Sequence, residues 1–340
     1  MSQKHRLIEL DYVRAISMLG VIAIHVSSTF VNMQSNLMIA GMNPAFILNQ
    51  VVRFAVPLFI LLSGLSLGFT KANLSYPVFL KSRCVKILIP YLVWSALYWL
   101  AYHRGQGFPA FAKALLCGGA SSHLYFIIIM LQLYLLYPLL KKAVRRFPVP
   151  SLLLSLVVSF IAQQAILYSG AGLFVRGPIL QRMWYLFPAW IAFFVLGMIL
   201  HQIGFERLCA WCGKNLWFLL ACAALCAAFY ARESRLTGNL DSIKISLFLY
   251  TPVILLTILA AGHRLRNCSR LNQVVSFLAR HSQTVFFSHL FILIYLRQFP
   301  VLVTGTRGML LLLLAETILS VLFAWLIDTV IGRIKRIFIK

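Results

Sequence analysis

The chain has 340 residues, of which 61% are hydrophobic and 11% are charged. A soluble domain of this length cannot bury so much apolar surface, so the composition indicates an integral membrane protein. The formal net charge is +24 with only 7 acidic residues, but the basic residues lie between apolar runs and form no basic stripe on a soluble fold. We therefore expect no nucleic-acid partner.

Ten apolar segments approach the length that crosses the hydrocarbon core of a bilayer. The ninth is the weakest, because Arg280, His281, His289 and Arg297 dilute it. The sequence thus predicts an all-α polytopic membrane protein with about ten transmembrane helices, forming a single integral-membrane domain over 1–340 with no separate soluble domain. The predicted spans are 9–30, 45–69, 84–101, 123–140, 151–168, 185–203, 215–231, 243–261, 283–300 and 308–331.

The distribution of lysine and arginine gives the orientation. These residues are concentrated in the connections on the side of the N-terminus, as at 141–146 and 264–280, and are sparser in the alternate connections. Basic residues favour the cytoplasmic side, so both termini are predicted to be cytoplasmic. The first segment is interrupted by Asp11, Arg14 and His25 and is not followed by a cleavage site, so we expect the mature protein to keep it.

Arg14 and His25 are the most informative pair in the chain. They are eleven residues apart in the first span, which is about three helical turns and roughly 16 Å along one helical face. Ionisable residues inside a membrane helix are costly and usually mark a functional site. Arg14 alone can extend to the inner interface and His25 alone can bond a neighbouring helix. Asp11, which can pair with Arg14 three positions later, adds a third group to the face and favours function.

Two basic residues open the third span. Arg83 and Lys86 are three apart and should project from one face at the cytoplasmic mouth, where with Arg14 they are candidate ligands for a phosphorylated donor. Basic residues are also expected at this position merely as topology anchors.

Three further polar residues are candidates for orienting an acceptor: His123, at the outer end of the fourth span, and Ser282 and His289 in the ninth. His289 lies roughly 13 Å beyond Arg280 along its helix, so it should approach His25 near mid-membrane from the same side. A structural, hydrogen-bonded histidine is an equally good interpretation of His289 alone.

The sequence predicts no metal site and no permanently bound cofactor, because the histidines lie on different spans without a carboxylate cluster. The 7 cysteines are scattered. Cys209 and Cys212 have redox or metal spacing but no second pair, so we interpret the cysteines as packing residues.

Two acidic residues lie in the last span. Asp328 is expected to pair with Arg333, and the sequence pattern assigns no role to Glu316.

An ordered set of motifs resembles the acyltransferase-3 family of integral membrane O-acyltransferases. Each motif alone is weak, but together they cover nearly the whole chain in the family's order. The motifs are Arg14 and His25 separated by ten residues, the Val-Pro-Leu-Phe-Ile-Leu-Leu-Ser-Gly segment at 56–64, the basic entry at Arg83 and Lys86 followed by Pro90-Tyr91, the His123-Leu-Tyr-Phe opening, and the Ser282 to His289 segment.

The resemblance implies a ten-helix core, an acyl-CoA donor bound from the cytoplasm, and transfer to a hydroxyl of a surface glycan. One departure concerns the donor site. The family commonly has Arg-x-x-Arg at the entry to the third helix, and this chain has Arg83 and Lys86. Lysine keeps the charge but lacks the bidentate fork, so its phosphate contacts should be looser.

The resulting hypothesis is a membrane O-acyltransferase of the surface-polysaccharide type, acting as an O-acetyltransferase in a bacterial cytoplasmic membrane. Its donor is acetyl-CoA or another acyl-CoA, and its acceptor is a cell-surface or lipid-linked glycan. The predicted catalytic residues are His25 and Arg14. His25 is suited to act as general base, because neutral imidazole accepts a proton near neutral pH. A covalent acyl-histidine intermediate stays open beside direct transfer.

Two other classes stay open. One is a polysaccharide exporter or flippase that forms no covalent bond, and the other is a sensory or scaffold protein whose buried charges only fix helix packing.

If the protein is an acyltransferase, the choice of acceptor is expected to depend on the outer loops 31–44, 102–122, 169–184 and 232–242.

Overall fold

A computed structural model describes residues 7–33, 43–69, 75–103, 105–170 and 184–338. Every regular element in these ranges is helical. The helices are α1 (Ile8–Met33), α2 (Pro44–Val51), α3 (Ala55–Leu67), α4 (Tyr76–Tyr102), α5 (Phe108–Cys117), α6 (Tyr125–Arg146), α7 (Pro148–Gly170), α8 (Ile191–Lys214), α9 (Leu216–Thr237), α10 (Leu247–Leu265), α11 (Ser269–Leu296), α12 (Pro300–Val303) and α13 (Gly305–Phe338).

In the described residues, 9 helical stretches are long and apolar enough to span a membrane, with α2 and α3 forming one of them. These stretches coincide with nine of the ten predicted spans and confirm an all-α polytopic membrane protein. The remaining prediction, 283–300, overlaps α11, which begins earlier, at Ser269, and ends at Leu296. Its first half carries Arg270 and Arg280, so hydropathy alone finds only the apolar second half.

The second span is divided by a 3₁₀ turn at Val52–Phe54. Proline has no N–H, so Pro57 leaves the carbonyl of residue 53 without its usual helical partner. The α-helix accordingly ends at Val51 and resumes at Ala55. This local break places Arg53 in a turn rather than in a continuous helix.

The chain groups into two compact units. The first takes in the described residues of Met1–Leu58, Glu206–Ser242 and Ser246–Lys340. Its central helix is α1, which packs against α2, α10, α11 and α13, while α11 also lies along α13. α1 is buried along most of its length, so the polar groups that it carries are enclosed by this unit.

The second unit consists of the described residues of Phe59–Phe205 together with Ile243–Ile245. In it α6 packs against α4, α5 and α7. α3 and α8 cross closely at two glycines: a Cβ on Gly64 would collide with the backbone of Phe194, and one on Gly197 with the carbonyl of Leu61. Small residues permit such an approach between membrane helices.

Parts of the sequence predictions lie outside the described residues. They are positions 34–42, 104 and 171–183 of the proposed outer loops, and several basic residues used for orientation (Lys4, Arg6, Lys71, Arg104, Arg176, Arg182 and Lys340). The orientation of the termini and the single domain over 1–340 stay predictions.

Candidate active site

The first unit brings His25 on α1 against His289 on α11. Their ring centroids are 5.2 Å apart and the rings are inclined by 48°. His289 is fully buried, whereas His25 is partly exposed. The predicted approach of these histidines is therefore present. It occurs six residues, or about 9 Å, before the end of the apolar span at Val31, rather than at its middle.

The ring of His289 is held by its own helix. Its Nδ1 lies 2.8 Å from the carbonyl oxygen of Phe286 and 3.2 Å from that of Val285. A carbonyl oxygen only accepts hydrogen bonds, so Nδ1 carries the hydrogen. In the neutral ring, Nε2 is then the nitrogen that carries the lone pair.

An arginine joins the turn of α1 that bears His25. The Nη2 of Arg297, at the end of α11, donates to the backbone carbonyl of His25 at 3.1 Å. The hydroxyl of Thr29 donates to the same carbonyl at 3.3 Å. α1 and α11 are thus connected directly at the histidine pair.

Asn49 on α2 connects a second arginine to the same turn of α1. Its Nδ2 donates to the Ile24 carbonyl and to the hydroxyls of Ser27 and Ser28, at 2.9–3.2 Å. Its Oδ1 accepts from Nε and Nη2 of Arg53 at 3.0 and 2.8 Å. The amide of Asn49 therefore fixes the guanidinium of Arg53 relative to α1.

Arg53 and Arg297 both lie close enough to His25 to interact with it electrostatically. Two fixed cations beside a histidine suit a reaction in which negative charge develops on a carbonyl oxygen. The sequence analysis assigned neither arginine to the site. The available signal was an arginine at the margin of an apolar span, since such residues are often functional.

The predicted pair of Asp11 and Arg14 is present at the other end of α1. The Nη1 of Arg14 donates to Oδ1 of Asp11 at 3.0 Å, and Ser276 on α11 donates to Oδ2 at 3.1 Å. Asp11 is fully buried, while the side chain of Arg14 is 37% exposed. Arg14 and His25 thus belong to separate clusters on one helix.

Ser282 donates its hydroxyl to the carbonyl of Ala279 in its own helix, at 2.9 Å. Its supporting role stays a prediction.

Asp328 pairs differently from the prediction. Its carboxylate accepts from Nδ1 of His281 at 2.5 Å and from the hydroxyl of Thr284 at 2.7 Å. The predicted pairing with Arg333 is wrong, because α13 turns Asp328 towards α11.

The remaining predicted site residues belong to the second unit. Arg83 and Lys86 lie on α4, where the guanidinium of Arg83 stands 5.9 Å from the ring centroid of Phe79 and Lys86 is exposed. His123 precedes α6 and is buried, with its Nδ1 3.3 Å from the hydroxyl of Ser121 and its ring 5.4 Å from that of Tyr98. Their roles in binding stay predictions.

Glu316 on α13 is fully buried in the first unit. Its Oε1 accepts from Ser320 at 2.8 Å, and Arg297 acts on it electrostatically. Within the described ranges, no group of three or more histidine, cysteine and acidic residues is placed to hold a metal ion.

The fold and the site together define a class: a multi-pass helical membrane protein in which a histidine pair, one ring buried and one partly exposed, lies near two arginines. Histidines next to fixed cations are equipped for acid–base and acyl-transfer chemistry.

Residues 7–329 match the model of the acyltransferase-3 family, described as an acyltransferase domain. The chain belongs to this family and is a membrane acyltransferase that transfers groups other than aminoacyl groups. It is 22% identical over 299 residues to "Putative membrane-bound acyltransferase YfiQ" of Bacillus subtilis (strain 168), covering 84% of this chain and 81% of that protein. No solved structure matches the chain.

Proposed function

We propose that the protein is an O-acyltransferase of a bacterial cytoplasmic membrane, with acetyl as its acyl group. It takes the acyl group from cytoplasmic acyl-CoA and transfers it to a hydroxyl of a cell-surface or lipid-linked glycan. The observation that carries the proposal is the contact of His25 with His289 beside two arginines.

In the proposed reaction His25 accepts the proton of the glycan hydroxyl while the hydroxyl oxygen attacks the carbonyl carbon of the thioester. The carbon–sulfur bond breaks, and the departing thiolate takes the proton from His25, giving the glycan ester and free CoA. His289 supports the ring of His25 from a fixed orientation. Arg53 and Arg297 stabilise the oxyanion of the tetrahedral intermediate. Transfer through an acyl-histidine at His25 is an alternative route with the same products.

The donor carries several phosphates, so its binding requires cations. Arg14 is a proposed donor contact in the first unit, oriented by Asp11. Arg83 and Lys86 on α4 are proposed donor contacts in the second. Acceptor contacts are proposed for His123 and Ser282, and the surrounding bilayer is the other partner.

The test uses the full-length protein in lipid vesicles, with radiolabelled acetyl-CoA and a crude surface-glycan extract. Wild type is compared with His25→Ala and with a matched control, His201→Ala. His201 is partly exposed on α8, where its ring lies 4.5 Å from that of Phe69. Label should enter base-labile glycan esters with wild type and with His201→Ala, and fall at least about a hundredfold with His25→Ala.

Full transfer by a correctly inserted His25→Ala protein would refute the role of His25. A wild-type protein that binds no acetyl-CoA would refute this donor. Failed glycan export in cells without any change in glycan acylation would favour an exporter instead.

A further inference from the structure

An open cavity of about 590 Å³ lies where α10 leads into α11. This volume is in the range of small-ligand sites. The residues lining it that matter here are Arg266, Asn272, Gln273, Ser276, Phe277 and Arg280.

Two arginines give this cavity its chemistry. Arg266 and Arg280 both line it and both are exposed. Among the residues that the structure describes, neither guanidinium has a carboxylate partner within 4.0 Å. Guanidinium groups without a partner recognise phosphate oxygens through paired N–H donors. The cavity is therefore suited to a phosphorylated ligand.

Two residues in the wall of the cavity form hydrogen bonds with side chains of α1. Asn272 accepts a hydrogen bond from the hydroxyl of Tyr12 at 3.1 Å and donates to the carbonyl of Arg266 at 2.7 Å. Ser276 donates to Asp11, the partner of Arg14. These bonds hold the cavity directly beside the Asp11–Arg14 pair.

Phe277 and Gln273 also line this cavity and supply an aromatic ring and an amide. Aromatic side chains stack on the flat ring of a nucleotide base. Ser276 precedes His289 by thirteen residues, or about 20 Å along α11. A ligand with a nucleotide here and a reactive group at the histidine pair must have a long, thin connecting arm.

We infer that this cavity binds the nucleotide phosphates of the acyl donor, with its base against Phe277 and its acyl arm directed along α11 towards His25 and His289. The inference rests on the proposed use of an acyl-CoA donor. The cavity is a donor site in the first unit, in addition to the donor contacts predicted on α4.

The test measures binding of radiolabelled acetyl-CoA, and its displacement by adenosine 3′,5′-bisphosphate, with the full-length protein in phosphatidylcholine nanodiscs. Arg266→Gln and Arg280→Gln should each weaken acetyl-CoA binding about tenfold, as expected for a lost charged hydrogen bond. Arg280→Lys, which keeps the charge, should retain more affinity than Arg280→Gln. The control Arg270→Gln removes a neighbouring exposed arginine that does not line the cavity, and should change affinity less than about twofold.

Equal acetyl-CoA affinity in Arg266→Gln, Arg280→Gln and Arg270→Gln would overturn the inference and leave the proposed function standing. Loss of co-purified phosphatidylglycerol in the first two variants, with unchanged acetyl-CoA affinity, would also overturn it and assign the cavity to a lipid headgroup. Binding of the bisphosphate that depends on both arginines, in a protein that transfers no acyl group, would support the cavity and refute the proposed function.

Discussion

Arg297 and His25 are joined through the backbone: the guanidinium at the end of α11 donates to the carbonyl of the histidine on α1 at 3.1 Å. This contact fixes the relative height of the two helices at the point where the histidine rings meet. Its loss should let the rings shift while the rest of the interface between α1 and α11 holds.

Arg297→Ala should lower kcat for acyl transfer about tenfold to a hundredfold, with a smaller change in the KM for the donor. The lost charged hydrogen bond is of order 1.5–3 kcal/mol, and each 1.4 kcal/mol is a factor of ten in rate. Steady-state kinetics in vesicles measures both constants. Arg307→Ala, at an exposed arginine of α13, is the control and should behave as wild type. A change confined to KM would contradict both the positioning of the rings by Arg297 and its proposed stabilisation of the oxyanion.

Asn49→Leu should destabilise the protein by at least about 1 kcal/mol. It removes the amide that joins α2 to α1 and leaves the guanidinium of Arg53 without its acceptor. Asn49→Asp keeps that acceptor and should cost less. Thermal unfolding in detergent, followed by the loss of monodisperse protein, ranks the variants, and equal midpoints for both would argue against the network.

Gly197→Val should prevent stable folding, because any Cβ at this position meets the carbonyl oxygen of Leu61. Backbone atoms cannot move away as a side chain does, so α3 and α8 must separate. Gly332→Ala is the matched control, since a Cβ there meets no atom within 4 Å. It should be neutral or stabilise α13 by about 0.5–1 kcal/mol. The yield of folded protein and its unfolding midpoint report both results.

His281 and Asp328 should be coupled energetically, and Asp328 and Arg333 should not be. A double-mutant cycle with His281→Ala and Asp328→Ala is expected to give an interaction free energy of about 1 kcal/mol, the usual contribution of one hydrogen bond. The same cycle with Arg333→Ala and Asp328→Ala should give a value near zero. A larger interaction free energy for Asp328 with Arg333 than for Asp328 with His281 would instead support the pairing predicted from the sequence.

Hydropathy predicted most of the fold because each apolar span carries its own signal. It missed the start of α11 for the same reason, since Arg270, Arg280 and His281 give the first half of that helix a polar composition. The meeting of His25 and His289 was predictable from helical rise, given that both helices enter from one side.

The surroundings of the histidine pair were not predictable from local pattern. Asn49 is an ordinary polar residue in its own segment, and its importance arises from contacts with Ser27 and Ser28 on another helix. Arg297 likewise carries no local sign that it reaches the carbonyl of His25. Such partners become evident only when helices distant in sequence are packed together.

The bond from Arg297 to position 25 involves the main chain, and every amino acid supplies that same carbonyl. Exchanging the imidazole for another side chain therefore leaves this contact between α1 and α11 available. A substituted protein can retain the native helix arrangement while losing only the ring. Substitutions at position 25 can therefore separate a loss of catalysis from a loss of folding.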